Sequence, residues 1–256
     1  LGIAAGTFIL LMFVRAPYGR HERPGWGPTI PARLGWVFME SPCIIVMTVF
    51  FGIGASGWNL ADPLGIIFYI LWIVHYIHRS WVWPARAQIA GKKMPVSIIF
   101  FAIGFNSVNS WINAEWLFSL HHPYPIEWLY SPQFIVGVIL FIAGMGINIK
   151  ADDMLFSLRK KGTINYKIPQ GGLFQWVSCP NYFGEILIWI GMAIISFPAL
   201  NGWQYTTLIS PIFVTLLLTR VSGVNLLEKS ADKKWGNLGT YQSYKSKTAL
   251  LIPFTK

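Results

Sequence analysis

The fold class of this chain is indicated by residues 34–55, whose sequence is LGWVFMESPCIIVMTVFFGIGA. The segment is apolar over about 20 residues, the length that crosses the hydrocarbon core of a bilayer as an α-helix. One carboxylate, Glu40, interrupts it. A charged side chain at the centre of a membrane helix costs at least about 2.5 kcal/mol. The segment therefore predicts a membrane protein, and Glu40 marks a candidate functional site within it.

The composition supports the same class, because the chain is 54% hydrophobic and only 12% charged. Soluble domains carry about 25% charged residues. Apolar segments near spanning length occur seven times, at residues 2–16, 34–55, 64–83, 95–118, 132–149, 182–200 and 203–219. We therefore predict an all-α integral membrane protein with seven transmembrane helices. A cleaved signal peptide is the alternative for the first segment.

The distribution of basic residues predicts the orientation. Every Lys and Arg lies within or beside the loops at residues 17–33, 78–94 and 150–181 and the tail at 220–256. Cytoplasmic segments are enriched in these residues, so we place the N-terminus outside and the C-terminus in the cytoplasm. The net charge of +10 is then a topological signal, with some attraction to anionic lipids, and does not indicate nucleic-acid binding. The whole chain, residues 1–256, is predicted to form one membrane domain.

Polar side chains within the apolar segments are concentrated near the predicted cytoplasmic side, which suggests a pocket open to the cytoplasm. Glu40 lies about two turns into the second segment, and Tyr76 lies near the cytoplasmic end of the third. The others are Asn106, Asn109, Ser110 and Asn113, spaced along one helical face, and Asn181 with Glu185, one turn apart. Hydrogen bonding between helices is the alternative for the asparagine stripe, and an interfacial position is the alternative for Tyr76.

Histidines do not indicate a metal site. His75 and His78 lie on the side of the membrane opposite His121 and His122 in the predicted topology, which excludes a site built from all four. A pair three residues apart on one helix stays open as an alternative, but we predict no metal.

The connection after the fifth segment contains residues suited to a phosphate-bearing ligand. Asn148, Asp152 and Arg159 recur on one face of a continuing helix. Basic side chains at residues 159–161 precede a Gly171-Gly172 pair, which lets the backbone approach a ligand closely. This connection contains neither a G-x-G-x-x-G nor a Walker A motif. A solvated loop with a tight turn is the alternative interpretation.

Together these segments resemble the steroid 5α-reductase family over roughly residues 17 to 256. The similar motifs are PARLGWVFMESP at 31–42, HYIHR at 75–79, GMGINI at 144–149 with Asp152 and LRK at 158–160, YKIPQGGLF at 166–174, NYFGE at 181–185 and LIPF at 251–254. Met39 departs from the pattern, because the family usually has a glutamine before the glutamate. The longer tail is also similar to a wider group that includes isoprenylcysteine methyltransferases.

The resemblance implies a seven-helix membrane enzyme with a cytoplasm-facing NADPH site, which reduces the C4–C5 double bond of 3-oxo-Δ4-steroids to 5α-dihydro products. It implies that Glu40 and Tyr76 hold the 3-keto oxygen and that Trp36 is a wall of the steroid pocket. We expect the asparagine stripe to contact substrate as well. The residues expected to bind NADPH are Asn148, Asp152, Arg159, Tyr166, Asn181 and Glu185, with Lys92, where the family has an arginine, and Tyr244 and Lys247 in the tail.

The chemistry suits these residue types. Hydride transfer to the β-carbon of an enone leaves negative charge on the keto oxygen, and donors placed there stabilise it. Tyr76 donates through its hydroxyl. Glu40 donates only when it carries a proton, and we expect its apolar surroundings to keep it neutral. Ketosteroid isomerase provides a precedent, because it uses a protonated aspartic acid as a donor to a keto oxygen.

Three alternatives stay open: a reductase of another conjugated lipid such as a polyprenal or an enoyl thioester, a methyltransferase that uses S-adenosylmethionine, and a sterol-binding membrane protein without activity. The expected partners are a steroid or related lipid substrate and membrane lipids, with no nucleic acid and no obligate protein partner. The expected location is a bacterial inner membrane.

Overall fold

A computed structural model describes residues 25–55, 62–119, 126–158, 167–169, 171–197, 202–221 and 223–255. Over these residues the chain is mostly helical. The α-helices are α1 (Ala32–Glu40), α2 (Pro42–Ala55), α3 (Pro63–Ile77), α4 (Trp83–Arg86), α5 (Val96–Ala114), α6 (Pro132–Ser157), α7 (Pro180–Ile195), α8 (Ile209–Leu216), α9 (Val224–Trp235) and α10 (Gly239–Lys247). Two of the described segments, β1 (Thr29–Pro31) and β2 (Lys93–Pro95), are strands that form a small antiparallel sheet.

Several shorter helical turns connect or extend these elements in the described part of the chain. The π-helical turns are His78–Val82, Glu115–Ser119 and Leu217–Val221. The 3-10 turns are Ile126–Tyr130, Gly172–Gln175 and Gly202–Leu208. The described residues pack as two units, one drawn from Leu1–Gly137 with Met192–Ser210 and the other from Val138–Gly191 with Pro211–Lys256.

Four helical stretches among the described residues are long and apolar enough to cross a membrane. They are Ala32–Gly54, Val96–Ser119, Pro132–Ser157 and Tyr205–Trp235. The helix Pro180–Ile195 is apolar but shorter. The structure is therefore consistent with the predicted class, an all-α membrane protein. Helices occupy six of the seven predicted segments, and the first segment, residues 2–16, lies outside the described residues.

The predicted helix over residues 34–55 is interrupted just after Glu40. Helix α1 ends at Glu40 and α2 begins at Pro42, which has no N–H to donate to the carbonyl four residues back. Ser41 forms the end of α1, because its hydroxyl donates to the Val37 carbonyl at 2.6 Å and its backbone N–H donates to the same oxygen at 3.0 Å. Glu40 is thus the last residue of a helix, at a break that proline imposes inside an apolar span.

In the first unit, the small sheet holds the starts of α1 and α5 together. Ile30 pairs with Met94, and the N–H of Ala32 donates to the Lys92 carbonyl at 2.9 Å. Arg33 extends this clamp, because its Nε donates to the Pro84 carbonyl at 2.9 Å. A Cβ at Gly35 would lie 2.8 Å from the Met94 sulfur, so the missing side chain allows α1 to approach β2 closely.

Beside the sheet, the first unit has a core of large apolar side chains from α2, α3 and the turn that follows α5. Trp72, Phe68, Met47 and Phe118 are almost completely buried. The indole N–H of Trp72 donates to the Cys43 carbonyl at 2.9 Å, so this buried polar group is satisfied. The core fixes α3 against α2, which determines where Tyr76 lies.

In the second unit, helices α6 and α7 touch through glycine backbone. A Cβ on Gly144 would lie 2.6 Å from the Gly184 carbonyl oxygen, and a Cβ on Gly184 would lie 2.6 Å from that of Gly144. Small residues let membrane helices approach in this way. The backbone nitrogen of Asn148 is 2.8 Å from the same Cβ position at Gly184, so the crossing lies next to polar residues.

The C-terminal segment packs onto the loop before α7 in the second unit. Ala249 forms a parallel bridge with Val177, its N–H donates to the Trp176 carbonyl at 3.1 Å, and its carbonyl accepts from the Ser178 N–H at 2.9 Å. The preceding helices α9 and α10 are joined by Lys245, whose ammonium donates to Asp232 at 2.7 Å. The tail therefore supports the loop that leads into α7.

Candidate active site

Glu40 is the centre of a buried polar group in the first unit. Its side chain is only 8% exposed. Arg79 Nη2 lies 3.4 Å from Oε1, and Asn106 Nδ2 lies 3.5 Å from Oε2, at the limit of a hydrogen bond. The same Asn106 amide donates at 2.6 Å to the Met39 carbonyl. We call Glu40, Tyr76, Arg79 and Asn106, with the thiol of Cys43, the Glu40 cluster.

Arg79, like Cys43, is a member of this cluster to which the sequence pattern assigned no role. The expectation of a neutral Glu40 rested on purely apolar surroundings, and the structure instead places a guanidinium beside the carboxyl group. Glu40 therefore has an ion-pair partner, and its surroundings are not those on which the expectation depended. The sequence carried a signal for this contact, since Arg79 follows Tyr76 by three residues and shares its helical face.

Tyr76 lies in the same cluster of buried side chains. It is 3% exposed and packs against the rings of Trp72 and His75, each with a centroid 4.9 Å away. Its hydroxyl and that of Ser110 both form hydrogen bonds with the thiol of Cys43. The charged groups of Glu40 and Arg79 lie close enough to interact electrostatically with the same thiol. Cys43 is completely buried, with Tyr76 as a hydrogen-bond partner of its thiol and the carboxyl group of Glu40 within electrostatic range.

Trp36 borders the cluster on the side of α1. It lies one helical turn before Glu40, with its ring 5.8 Å from the Arg79 guanidinium carbon and 4.8 Å from the Trp83 ring. Trp36 is half-buried, which suits the predicted pocket wall, and it also supports Arg79.

The asparagine stripe divides between two kinds of contact. Asn106 joins the Glu40 cluster, whereas Asn109 and Asn113 bind Ser210 on α8. The Ser210 hydroxyl donates to Asn109 Oδ1 at 2.6 Å, and Asn113 Nδ2 donates to the Ser210 hydroxyl at 3.1 Å. These contacts favour the alternative of hydrogen bonds between helices for the two deeper asparagines.

A second polar group lies at the glycine crossing of the second unit. Asn148 Nδ2 donates to Glu185 Oε2 at 3.2 Å and to the Asn181 carbonyl at 3.0 Å. Asn181 Nδ2 in turn lies 3.4 Å from Asp152 Oδ1, and Trp189 Nε1 donates to Glu185 Oε1 at 3.2 Å. We call Asn148, Asp152, Asn181 and Glu185 the Asn148 cluster. Each helix contributes two members spaced by four residues, as the sequence predicted.

The remaining predicted cofactor residues have different positions. Arg159 and Tyr166 lie outside the described residues. Lys92 is half-buried in the first unit, beside the sheet, and Lys247 is exposed at the end of α10. Tyr244 is half-buried in the second unit, where burial, reinforced by nearby Cys179 and Glu228, raises the pKa of its phenol.

The glycine pair at the start of the 3-10 turn Gly172–Gln175 has a left-handed backbone. Gly171 and Gly172 have φ values of 79° and 52°, which favour glycine. A Cβ on Gly172 would lie 2.9 Å from the Met154 sulfur. The turn therefore packs on α6 just beyond Asp152, within the second unit.

Comparison with known proteins identifies related sequences. The family model described as 3-oxo-5-alpha-steroid 4-dehydrogenase matches residues 92–255. The chain is 42% identical to the steroid 5-alpha-reductase DET2 of Gossypium hirsutum, over 76% of this chain and 75% of the relative. It is 38% identical to the Arabidopsis thaliana protein of the same name, over 78% of each. It is 37% identical to the 3-oxo-5-alpha-steroid 4-dehydrogenase 1 of Bos taurus, over 77% of this chain and 76% of the relative.

Proposed function

Because the chain belongs to the 3-oxo-5-alpha-steroid 4-dehydrogenase family, we propose that it reduces the C4–C5 double bond of 3-oxo-Δ4-steroids to 5α-dihydro products, with NADPH as the reductant. The chain is an oxidoreductase acting on CH–CH groups. The substrate and the cofactor of this chain are the proposed part of the assignment.

The observation that carries the proposal is the grouping of Glu40 and Tyr76 around one buried thiol, that of Cys43. Reduction of an enone at its β-carbon places negative charge on the keto oxygen, and donors fixed in a dry site stabilise that charge. Tyr76 supplies a hydroxyl donor. Glu40 holds the same oxygen when its carboxyl group carries a proton. The neighbouring rings of Trp36 and Trp83, 4.8 Å apart, offer an apolar wall of the kind that a steroid ring system requires.

The Asn148 cluster supports the proposed cofactor. Carboxylates and amides can accept from ribose hydroxyls and from a carboxamide, and the amides can also donate. Asn148, Asp152, Asn181 and Glu185 offer this set of groups on two helices, and the Gly171-Gly172 turn allows close approach of the backbone. The residue types present therefore fit a nicotinamide nucleotide. When bound, the reduced nicotinamide supplies the hydride.

We extend the proposal to the topology. The seven spans, with the N-terminus outside and the C-terminus in the cytoplasm, agree with the distribution of Lys and Arg. With this orientation the proposed cofactor site opens to the cytoplasm, and we propose the bacterial inner membrane as the location. Cysteine accessibility in membrane vesicles tests this: a cysteine at exposed Lys247 should react only from the cytoplasmic face.

The activity is tested with detergent-purified protein, NADPH, and a panel of testosterone, progesterone, a polyprenal and an enoyl thioester. We expect NADPH oxidation with 5α-dihydro product from the steroids, and much less with Glu40→Gln. Exposed Glu127→Gln is the matched control and should be fully active. Turnover of the polyprenal or thioester without turnover of any steroid would contradict the steroid assignment and support another conjugated-lipid reductase.

Two remaining alternatives are separated by ligand binding. A methyltransferase would gain thermal stability with S-adenosylmethionine, and a sterol-binding protein would bind testosterone without oxidising NADPH. We expect stabilisation by NADPH and none by S-adenosylmethionine.

A further inference from the structure

Arg79 has contacts that the proposed reaction does not yet use. Its guanidinium lies between the Glu40 carboxyl group, with Nη2 3.4 Å from Oε1, and the ring of Trp36, 5.8 Å away. The Arg79 side chain is 33% exposed, whereas that of Glu40 is 8% exposed. Arg79 thus connects a buried carboxyl group to a more open edge of the first unit.

The local backbone explains why these three side chains meet. Trp36 and Glu40 are one turn apart on α1, so they share a face. Arg79 lies in the π-helical turn His78–Val82 that directly follows α3. This turn is closed by the Trp83 N–H, which donates to the His78 carbonyl. Single π-turns inside helices occur frequently at functional sites.

The π-turn also places the residue that supports Trp36. The Trp83 ring lies 4.8 Å from that of Trp36, so the two indoles form a wall beside the guanidinium. Arginine stacks on aromatic faces, and its planar group binds carboxylates with a fixed geometry. A lysine would keep the charge and lose both features.

We propose that Arg79 is a positioning residue for the reduction, acting through Glu40. It holds Oε1 in one orientation, so that the carboxyl group is set beside the keto oxygen before a steroid enters, and Trp36 fixes Arg79 from the other side. This inference rests on the proposed function, because it assigns a task to the same carboxyl group.

A different role for Arg79, in cofactor binding, would change different kinetic parameters. An arginine this exposed could instead bind a phosphate of the cofactor, since arginine pairs with phosphate through charge-assisted hydrogen bonds. In that case Arg79 would affect cofactor affinity and would act independently of Glu40. A double-mutant cycle separates the two roles, because residues that act together give non-additive effects.

The experiment compares wild type, Arg79→Gln, Arg79→Lys, Glu40→Gln and the Arg79→Gln/Glu40→Gln double variant. Turnover and KM for testosterone and for NADPH are measured, together with Tm. Testosterone affinity in the presence of NADP+ is measured for all five proteins, so that the cycle can be completed even where turnover is lost. We expect Arg79→Gln to lower kcat about tenfold, with the KM for NADPH changed less than about twofold and Arg79→Lys intermediate.

In the Glu40→Gln background, Arg79→Gln should produce little further loss of testosterone affinity. Additive losses, or a raised KM for NADPH with unchanged kcat, would overturn the inference and indicate a cofactor role. If Arg79→Gln fails to fold, the cycle is completed with Arg79→Lys, Glu40→Gln and an additional Arg79→Lys/Glu40→Gln double variant. A wild-type protein that neither binds nor reduces any steroid refutes the proposed function itself, whereas an active wild type with an additive cycle refutes the positioning role alone.

Discussion

The Glu40 cluster and the Asn148 cluster each bury a carboxyl group, but they surround it with different partners. Glu40 has a cation beside it and aromatic rings around it, and its contacts with Arg79 and Asn106, at 3.4 and 3.5 Å, are long for hydrogen bonds. Glu185 accepts from two neutral donors, Asn148 and Trp189, each at 3.2 Å. Asn181 Nδ2 also lies 3.4 Å from Asp152 Oδ1, so the two clusters differ in the kind of partner that a carboxyl group has and not in the length of the contacts. This difference parallels the proposed division of roles, with chemistry at the Glu40 cluster and cofactor binding at the Asn148 cluster.

The largest expected effect tests the chemical side of this comparison. Glu40→Gln and Tyr76→Phe should each lower kcat by about 100-fold or more, as removal of a donor to a developing oxyanion does, while NADPH binding is retained. Tyr69→Phe, which removes a half-buried hydroxyl from the same helix as Tyr76, is the control. Steady-state kinetics and NADPH thermal shift are the measurements. If the Glu40→Gln and Tyr76→Phe variants lose NADPH binding but keep normal residual turnover, Glu40 and Tyr76 bind the cofactor and do not act in the chemical step.

The next effect tests whether the Asn148 cluster depends on the glycine crossing. Gly144→Ala inserts a methyl group 2.6 Å from the Gly184 carbonyl oxygen, and overpacking costs about 1–3 kcal/mol. We expect a lower Tm and weaker NADPH binding. Gly146→Ala is the matched control, because a Cβ there meets nothing within 4 Å. Equal Tm and NADPH affinity for the two variants would show that the close crossing has no role.

A smaller effect tests the binding side directly. Asn148→Ala removes an amide of the proposed cofactor site and leaves Glu185 without one of its donors. We expect roughly tenfold weaker NADPH binding, which corresponds to about 1.4 kcal/mol. The kcat at saturating NADPH should change little. Exposed Asn225→Ala controls for loss of an amide. A fall in kcat with unchanged NADPH affinity would place Asn148 in the chemistry.

The smallest effect concerns the asparagine stripe. Ser210→Ala removes the hydroxyl that joins Asn109 and Asn113, and such hydrogen bonds between membrane helices contribute on average about 0.6 kcal/mol. We expect a slightly lower Tm and unchanged turnover, with exposed Ser246→Ala as the control. If turnover falls while Tm does not, the deeper asparagines contact substrate after all.

The sequence predicted those features that depend on local pattern. Apolar length marked the helical segments, and a spacing of four residues put Asn148 and Asp152 on one face of α6 and Asn181 and Glu185 on one face of α7. The hydrogen bonds that join the cluster run between the two helices. The break after Glu40 was also readable from Pro42, although the segment was predicted as continuous. Gly144 and Gly184 each lie within about one turn of a residue of the Asn148 cluster. Small residues at such positions indicate a close helix crossing, which is not among the predictions drawn from the sequence.

The features that escaped prediction depend on contacts between distant segments. The pairing of Arg79 with Glu40 joins residues 39 positions apart, and the two short strands form only because the segments at residues 25–33 and 84–96 meet. The same holds for Ser210, which reaches Asn109 across 101 positions. A hydrophobic pattern cannot indicate which partner a polar side chain will find, because that depends on how the helices pack.

The bridge between Val177 and Ala249 has a consequence for the order in which the protein is completed. Domains generally fold as they are synthesised, from the N-terminus onward. The loop before α7 cannot follow that order, because Ser178 receives its partner carbonyl from Ala249, 71 positions later. The loop must therefore wait until α9 and α10 have been made, so maturation of the second unit is a late step of synthesis. A ribosome stalled on the tail would hold a chain whose helices are inserted but whose loop before α7 is still unpaired.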